Sequence, residues 1–190
     1  SGLSASDDIT VDATAEANGY VVVKGGAGAD KVTLSQNSNG GDNIDGGAGN
    51  DTITFEQANL TKADTIVGGD GTDTIASATD GATVTDAQFT AVSGVEVFAG
   101  GSGKRMTNVT VDKLAMAAGI RTVLMQDASA VDKLSIGKGF TENLTVDLDD
   151  DAQVNQVVAN AAYAGNLTVN VKASEHDGTA ANVITGGLGS

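Results

Sequence analysis

The sequence contains no cysteine, no proline and no tryptophan, and aromatic residues make up only 3% of it. Without cysteine, neither a disulfide nor a thiolate metal site can form. With so few rings, a conventional globular core anchored by aromatic side chains is excluded. The absence of proline is compatible with uninterrupted stacking of strands. Stability must come from something other than cross-links, and a bound metal ion is the usual substitute.

Long apolar runs and basic residues are also scarce. No run of about 18 apolar residues occurs, so we expect no transmembrane helix. Residues 1–4 lack the charged and apolar regions of a signal peptide. Ten basic residues face 25 acidic ones, which gives a formal net charge of −15. This charge disfavours nucleic acid and anionic membranes and favours cations, although acidity that only keeps the chain soluble is the alternative.

What remains is rich in small residues. The chain has 26 glycines among 190 residues, and its hydrophobic fraction of 40% is mostly Ala, Val, Ile and Leu. That fraction argues against disorder. Small and β-branched residues suit thin, repetitive β-layers better than a sandwich core. The composition therefore predicts an all-β solenoid.

Three segments share the nine-residue pattern GGxGxDx-aliphatic-x: residues 25–33, 46–54 and 68–76. Their first glycines, Gly25, Gly46 and Gly68, are 21 and 22 residues apart, which is two nonapeptides plus three or four residues. If two nonapeptides form one coil, the three motifs stack on one side of the solenoid. Degenerate copies at residues 37–45 and 59–67, which keep Asp42 and Asp64, are then expected on the opposite side.

The residue types in these loops suit calcium. Glycine adopts positive φ without a Cβ penalty, so a loop can turn its carbonyl oxygens inward. Calcium takes six to eight oxygens, more than one loop supplies, but loops stacked about 4.8 Å apart can share an ion. We expect Asp30 with Asp51, and Asp51 with Asp73, to flank two ions. Asp42 and Asp64 form a third candidate site. Loop glycines that only make turns, with aspartates that only solubilise, are the alternative reading.

This pattern resembles the nonapeptide of the RTX family of calcium-binding β-rolls, and most of all RTX proteins of the bacterial surface-layer or adhesin type. The resemblance implies a right-handed parallel β-roll in which loop carbonyls and aspartates of successive coils share each Ca²⁺. It also implies export as an unfolded chain through a type I system, with folding outside the cell. The candidate ligands are Gly25, Gly26, Ala27, Gly28, Asp30, Gly46, Gly47, Ala48, Gly49, Asp51, Gly68, Gly69, Asp70, Gly71 and Asp73, with Asp42 and Asp64 on the opposite side.

From residue 85 the pattern weakens. Residues 85–98 predict a capped helical turn, with Thr85 or Asp86 as the cap and Gly94 as the stop, followed by a strand. The segment resembles the spacers of large RTX surface proteins. Residues 100–105 begin like a repeat but place Arg105 where aspartate belongs, so we expect a metal-free loop. The GxxxxGK[ST] spacing of a phosphate loop is not met there.

The remaining chain predicts a longer, irregular β-solenoid. Short strands are expected at residues 108–111, 121–125, 133–136, 143–148 and 166–171, and the last two are 23 residues apart. Residues 112–118 and 152–162 are either short helices or bulging loops. We therefore divide the chain into N-terminal solenoid strands (1–24), a calcium-binding β-roll (25–85) and a degenerate solenoid (86–190). Residues 186–190 match the start of another nonapeptide, so we expect an excised segment of a longer repeat protein.

Two further features leave alternatives open. Asp147 and residues 149–151 form an acidic run that is either another calcium site at a coil edge or a solvated loop. Asn-x-Thr occurs at Asn59, Asn108, Asn143 and Asn166, either as glycosylation sites or as ordinary turn chemistry.

Catalysis finds little support in the sequence. The single histidine, His176, lies in a predicted loop, and no HExxH pattern is present. We therefore expect no enzyme. One hypothesis is a secreted bacterial surface-layer protein in which calcium drives folding and assembly, with self-association into a surface array or cell-surface glycans as partners. The alternative is an RTX folding and export module of a type I secreted enzyme, toxin or adhesin. A catalytic motif upstream would favour the alternative, and further solenoid would favour the surface layer.

Overall fold

Strands of this chain stack coil upon coil in parallel register. The computed structural model describes residues 7–16, 19–34, 41–56, 60–101, 104, 106–125, 132–148, 156–171 and 183–186. Within these ranges it has 17 β-strands in three sheets, together with one short α-helix and one turn of 3₁₀-helix. Neighbouring strands in all three sheets run parallel, because each coil returns the chain to the same side. The predicted all-β class and parallel β-solenoid are thereby confirmed.

Sheet A runs along the whole solenoid. Its eight strands are, in spatial order, β1 (Thr10–Asp12), β3 (Lys31–Thr33), β5 (Thr52–Phe55), β7 (Thr74–Ser77), β10 (Val97–Gly100), β12 (Thr122–Met125), β14 (Leu144–Leu148) and β16 (Leu167–Val171). The sheet crosses both of the predicted domain boundaries, which themselves stay predictions.

Two shorter sheets complete the coils. Sheet B contains β2 (Val22–Lys24), β4 (Asn43–Ala48), β6 (Thr65–Asp70) and β9 (Val92–Ser93). Sheet C contains β8 (Ala82–Val84), β11 (Met106–Val111), β13 (Lys133–Ile136), β15 (Gln156–Ala159) and β17 (Val183–Gly186). The coil that carries β8 and β9 contributes to both, so the second side of the solenoid changes from sheet B to sheet C there.

The core is a column of side chains repeated from coil to coil. Val32, Ile53 and Ile75 occupy equivalent positions in β3, β5 and β7 and are buried, as the aliphatic place of the nonapeptide predicts. Alternate residues of each strand point inward, so a period of two suffices to fill a core this thin. Three of the six aromatic rings pack together where the side sheets change. Phe98 stacks on Phe55 at 6.4 Å and meets Phe89 edge-on at 5.4 Å.

The change of sheet is built from helical turns and a cap that spans two coils. The 3₁₀-helix comprises Asp86–Phe89 with Thr85 as its N-cap, where the backbone N–H of Thr85 donates to Gln88 Oε1 (2.8 Å). Asp86 in turn caps α1 (Lys113–Ala118) of the next coil, because the N–H groups of Leu114 and Ala115 donate to its carboxylate (3.0 and 2.9 Å).

Predicted elements of the second half were found with small shifts, and two expectations were wrong. Gly94 does not stop the helical turn, which ends at Phe89. It lies between β9 and β10 with φ +60°. Of the two ambiguous segments, residues 112–118 contain α1, whereas 152–162 contain strand β15, since Val157 continues the buried column of Leu134. No helix within the described ranges is long and apolar enough to span a membrane.

Replacing Phe98 with alanine removes the ring that packs against both Phe55 and Phe89. We expect Phe98→Ala to lower the free energy of unfolding by about 3–5 kcal/mol, because it deletes a fully buried side chain and leaves a cavity. Urea unfolding followed by circular dichroism measures the change. Tyr20→Ala, at a ring that is 69% exposed, is the control and should change stability by no more than about 0.5 kcal/mol.

Candidate metal centre

The three glycine–aspartate loops stack directly on one another, as their spacing predicts. Gly47 and Ala48 of the second loop pair with Gly69 and Asp70 of the third. Asp30, Asp51 and Asp73 each precede a strand of sheet A by one residue, and the strands that follow are paired in register. The three carboxylates therefore form one column, and each is 2% exposed or less.

One oxygen of every carboxylate in this column has a structural partner. The backbone N–H of Asp30 donates to Asp51 Oδ1 (2.8 Å), and that of Asp51 donates to Asp73 Oδ1 (2.8 Å). At the two ends, Ile9 N–H donates to Asp30 Oδ1 (2.8 Å) and Asp73 N–H donates to Glu96 Oε2 (2.9 Å). We call this series the carboxylate ladder. It was not predicted, because the sequence analysis considered these aspartates only as residues that flank calcium ions.

The second oxygens differ along the ladder. Asp30 Oδ2 accepts a hydrogen bond from Gly26 N–H (2.9 Å). Asp51 Oδ2 and Asp73 Oδ2 are buried without any hydrogen-bond partner. A buried charged oxygen left unsatisfied costs at least about 1–3 kcal/mol, so native proteins nearly always provide it with a donor or an ion.

The first glycine of each loop lies in close contact with these oxygens. A Cβ at Gly46 would overlap Asp51 Oδ2 and approach Gly68 O, and a Cβ at Gly68 would overlap Asp73 Oδ2 and Gly94 O. We call these two contact points the Gly46 niche and the Gly68 niche. Each is bounded by a carboxylate oxygen of one coil and a carbonyl oxygen of the next. Gly25 is in the same position, against Asp30 Oδ2 and Gly46 O.

Positive φ brings the rest of each loop against its neighbour. Gly47 (+105°) and Gly69 (+120°) adopt a conformation that glycine favours, and any side chain at Gly47 would overlap Gly26 O. Gly49 and Gly71, two residues further along the same loops, also adopt positive φ, and a side chain at Gly49 would overlap Gly28 O. The predicted glycine ligands thus lie in three closely stacked loops.

The electrostatics of the column call for positive charge. Burial raises the pKa of Asp51, and the neighbouring carboxylates of Asp30 and Asp45 raise it further, although the hydrogen bond from Asp30 N–H opposes them. Burial also raises the pKa of Asp73, and Asp51, Glu96 and Asp70 add to that effect. Lys24 Nζ lies 3.5 Å from Asp45 Oδ2 at the exposed rim of the loops, where an ion pair contributes little.

Asp42 and Asp64, on the opposite side, repeat the ladder without an orphaned oxygen. The N–H of Val21 donates to Asp42 Oδ1 (2.8 Å), and that of Asp42 donates to Asp64 Oδ1 (2.9 Å). Asp64 Oδ2 accepts from Thr61 N–H (2.6 Å), so both oxygens of Asp64 have donors. Burial raises the pKa of Asp42. The third candidate site therefore offers a metal ion fewer unpartnered oxygens than the glycine side does.

The donor set of the glycine side fits calcium better than zinc or another transition metal. Among the described residues, no three His, Cys, Asp or Glu side chains lie close enough to share one ion. Any ion in a niche must therefore use one or two carboxylates together with backbone carbonyls and water, which is the mixture that calcium accepts. The unsatisfied Oδ2 atoms and the glycine niches are consistent with such an ion.

Two site residues were missed by sequence reasoning. Glu96 precedes β10 as Asp73 precedes β7, so it occupies the next step of the ladder, and Gly94 O borders the Gly68 niche. The sequence SGVE at residues 93–96 has no GGxGxD pattern, and only the strand register reveals the equivalence. Asn59, Arg105, residues 149–151, His176 and residues 187–190 lie outside the described residues.

Comparison with known proteins returned no relatives. No protein-family model, curated protein or solved structure matches this chain.

The raised pKa values predict how the metal-free protein responds to pH. A raised folded-state pKa stabilises the fold below the ordinary aspartate value of 3.8, and this contribution is lost as pH rises through the raised pKa. In chelator, we expect the free energy of unfolding to fall as the pH rises above about 4. Urea unfolding at several pH values measures it.

The double variant Asp51→Asn, Asp73→Asn separates this effect from the general self-repulsion of an acidic chain. Both asparagines keep an oxygen that can accept the ladder hydrogen bond but cannot ionise. The variant should lose stability less steeply with rising pH than the parent. Equal slopes would mean that the two buried carboxylates do not carry the pH dependence.

Proposed function

We propose that this chain is a structural calcium-binding segment of a secreted bacterial surface-layer protein of the RTX type, in which calcium drives folding and assembly. The observation that carries the proposal is the pair of buried, unpartnered oxygens, Asp51 Oδ2 and Asp73 Oδ2, beside glycine niches bounded by carbonyls of the next coil. Such oxygens favour a fold that is completed by a hard cation.

Calcium at these positions would supply the positive charge that the column lacks. In the Gly46 niche, Asp51 Oδ2 and Gly68 O are the residues placed to hold it, and the other loop carbonyls are the source of further oxygens. The ladder keeps Oδ1 of each aspartate occupied, so Oδ2 is oriented before the ion arrives. Preorganised oxygens bind calcium without first having to be ordered.

The expected affinity links the ion to the extracellular medium. Extracellular calcium modules have dissociation constants of about 10⁻⁴–10⁻³ M, far above cytosolic calcium. A chain with a net charge of −15 then repels itself inside the cell and gains stability outside it. Ion binding to the folded state adds about 1.4 kcal/mol per site at ten times the dissociation constant.

Calcium titration of the chain tests the folding claim. We expect calcium to raise the melting temperature and the β-sheet circular dichroism signal, and we expect magnesium at equal concentration to do less, because magnesium demands regular octahedral geometry and sheds water reluctantly. Asp51→Asn should weaken the calcium-induced gain, whereas Asp12→Asn, at an exposed aspartate of β1, should leave it intact.

Equal stability in chelator and in excess calcium would contradict the proposal. A gain that magnesium reproduces in full would reduce it to general screening of acidic charge.

The surface-layer part of the proposal concerns the protein that contains this segment. We expect that protein to form ordered two-dimensional sheets in millimolar calcium, visible by electron microscopy, and to release them in chelator. Dispersed particles in both conditions would contradict the array while leaving the calcium-dependent folding of the segment unaffected.

A further inference from the structure

The last motif of the glycine side, residues 68–73, is covered by a coil that has no nonapeptide. In the two earlier steps one motif loop covers another, with Gly47 paired to Gly69. Above the third loop lie Gly94, Val95 and Glu96, where one residue separates glycine from acid instead of four. Gly69 N–H donates to Gly94 O (3.3 Å), which fixes the short loop over the long one.

This junction nevertheless has the features of the Gly46 niche. Asp73 Oδ2 is fully buried, lacks a hydrogen-bond partner and lies beside Gly68 with Gly94 O on the other side. Glu96 reaches down to accept the N–H of Asp73 (2.9 Å), as each aspartate does for the one before it. Its extra methylene compensates for the shorter loop. A second acid therefore contacts the residue that carries the orphaned oxygen.

On the basis of the proposed function, we propose that Glu96 completes the calcium site at the Gly68 niche together with Asp73 and Gly94, at the junction between the last repeat and the coil beyond it. The ion at this site takes Asp73 Oδ2, Gly94 O and the Glu96 carboxylate as its protein ligands. It joins the glycine–aspartate coils to the coil that carries β9 and β10, and through β10 to the solenoid that follows.

The calcium site at Glu96 differs from the other proposed sites because it lies at the end of the carboxylate ladder. The ladder ends at Glu96, since the equivalent position before β12 is Arg121, whose guanidinium donates to Met116 O and Ile120 O (3.2 and 2.8 Å). The ladder position after Glu96 is therefore occupied by a basic side chain of the protein and not by an acid. The junction is the last step at which a buried, unpartnered acidic oxygen meets a carbonyl of the next coil, so it marks the end of the calcium-dependent part.

Calcium binding to three single variants of the chain tests this site. Isothermal titration calorimetry with CaCl₂ gives the number of ions bound, and circular dichroism in calcium verifies folding. We expect Glu96→Gln to bind one ion fewer than the parent, since the amide still accepts the Asp73 N–H but carries no charge. Asp73→Asn should lose the same ion. Glu142→Gln, at an exposed glutamate in the turn before β14, should bind as many ions as the parent.

The double variant Asp73→Asn, Glu96→Gln distinguishes one shared site from two separate ones. If both acids hold the same ion, the double variant loses no more ions than either single variant. Hydrogen exchange in calcium adds a local measure. Glu96→Gln should reduce the protection of amides in β9 and β10 and leave those of β3 and β5 unchanged.

The possible failures are distinct. A parent chain that binds no calcium overturns the proposed function, and this site with it. If the parent, Glu96→Gln and Asp73→Asn all bind the same number of calcium ions with the same affinity, this site alone is overturned. Loss of two ions by the double variant would assign Asp73 and Glu96 to different ions and would also overturn it.

Discussion

The close approach of an aspartate carboxylate to a glycine Cα, repeated at every step of the column, is the constraint on which the calcium-type loops depend. Asp51 lies against Gly46 and Asp73 against Gly68 so tightly that no side chain fits between them. This contact places one carboxylate oxygen on the next backbone amide and leaves the other facing a carbonyl of the following coil. The strand register, the buried acids and the niches all follow from that single arrangement.

Much of this architecture was predictable from the sequence, because the repeat carries two signals at once. Spacings of 21 and 22 residues predicted that the loops stack, and Gly47 does pair with Gly69. The aliphatic residue two places after each aspartate predicted the buried column of Val32, Ile53 and Ile75. A period-two pattern after a glycine turn leaves few alternative registers, since a slip of one residue would expose the column and bury the threonines beside it.

The rest could not be predicted, for reasons that are equally physical. The ladder depends on which carboxylate oxygen meets which amide, and sequence spacing carries no information about rotamers. Glu96 takes over the role of aspartate only because β9 and β10 bring it into register with Asp73, across a loop of different length. The strand at residues 156–159 was wrongly expected to be a helix or a bulging loop, because a short apolar run does not identify a strand until a neighbour such as β13 is in place.

The ladder also has a direction along the chain. The amides of Asp30, Asp51 and Asp73 each donate to an acid from the coil on their C-terminal side, never to the one before. Each coil of this column therefore depends on the one that follows it in the sequence. Loss of coils from the C-terminal side would leave an aspartate amide without its acceptor, whereas loss from the N-terminal side would leave every remaining amide paired.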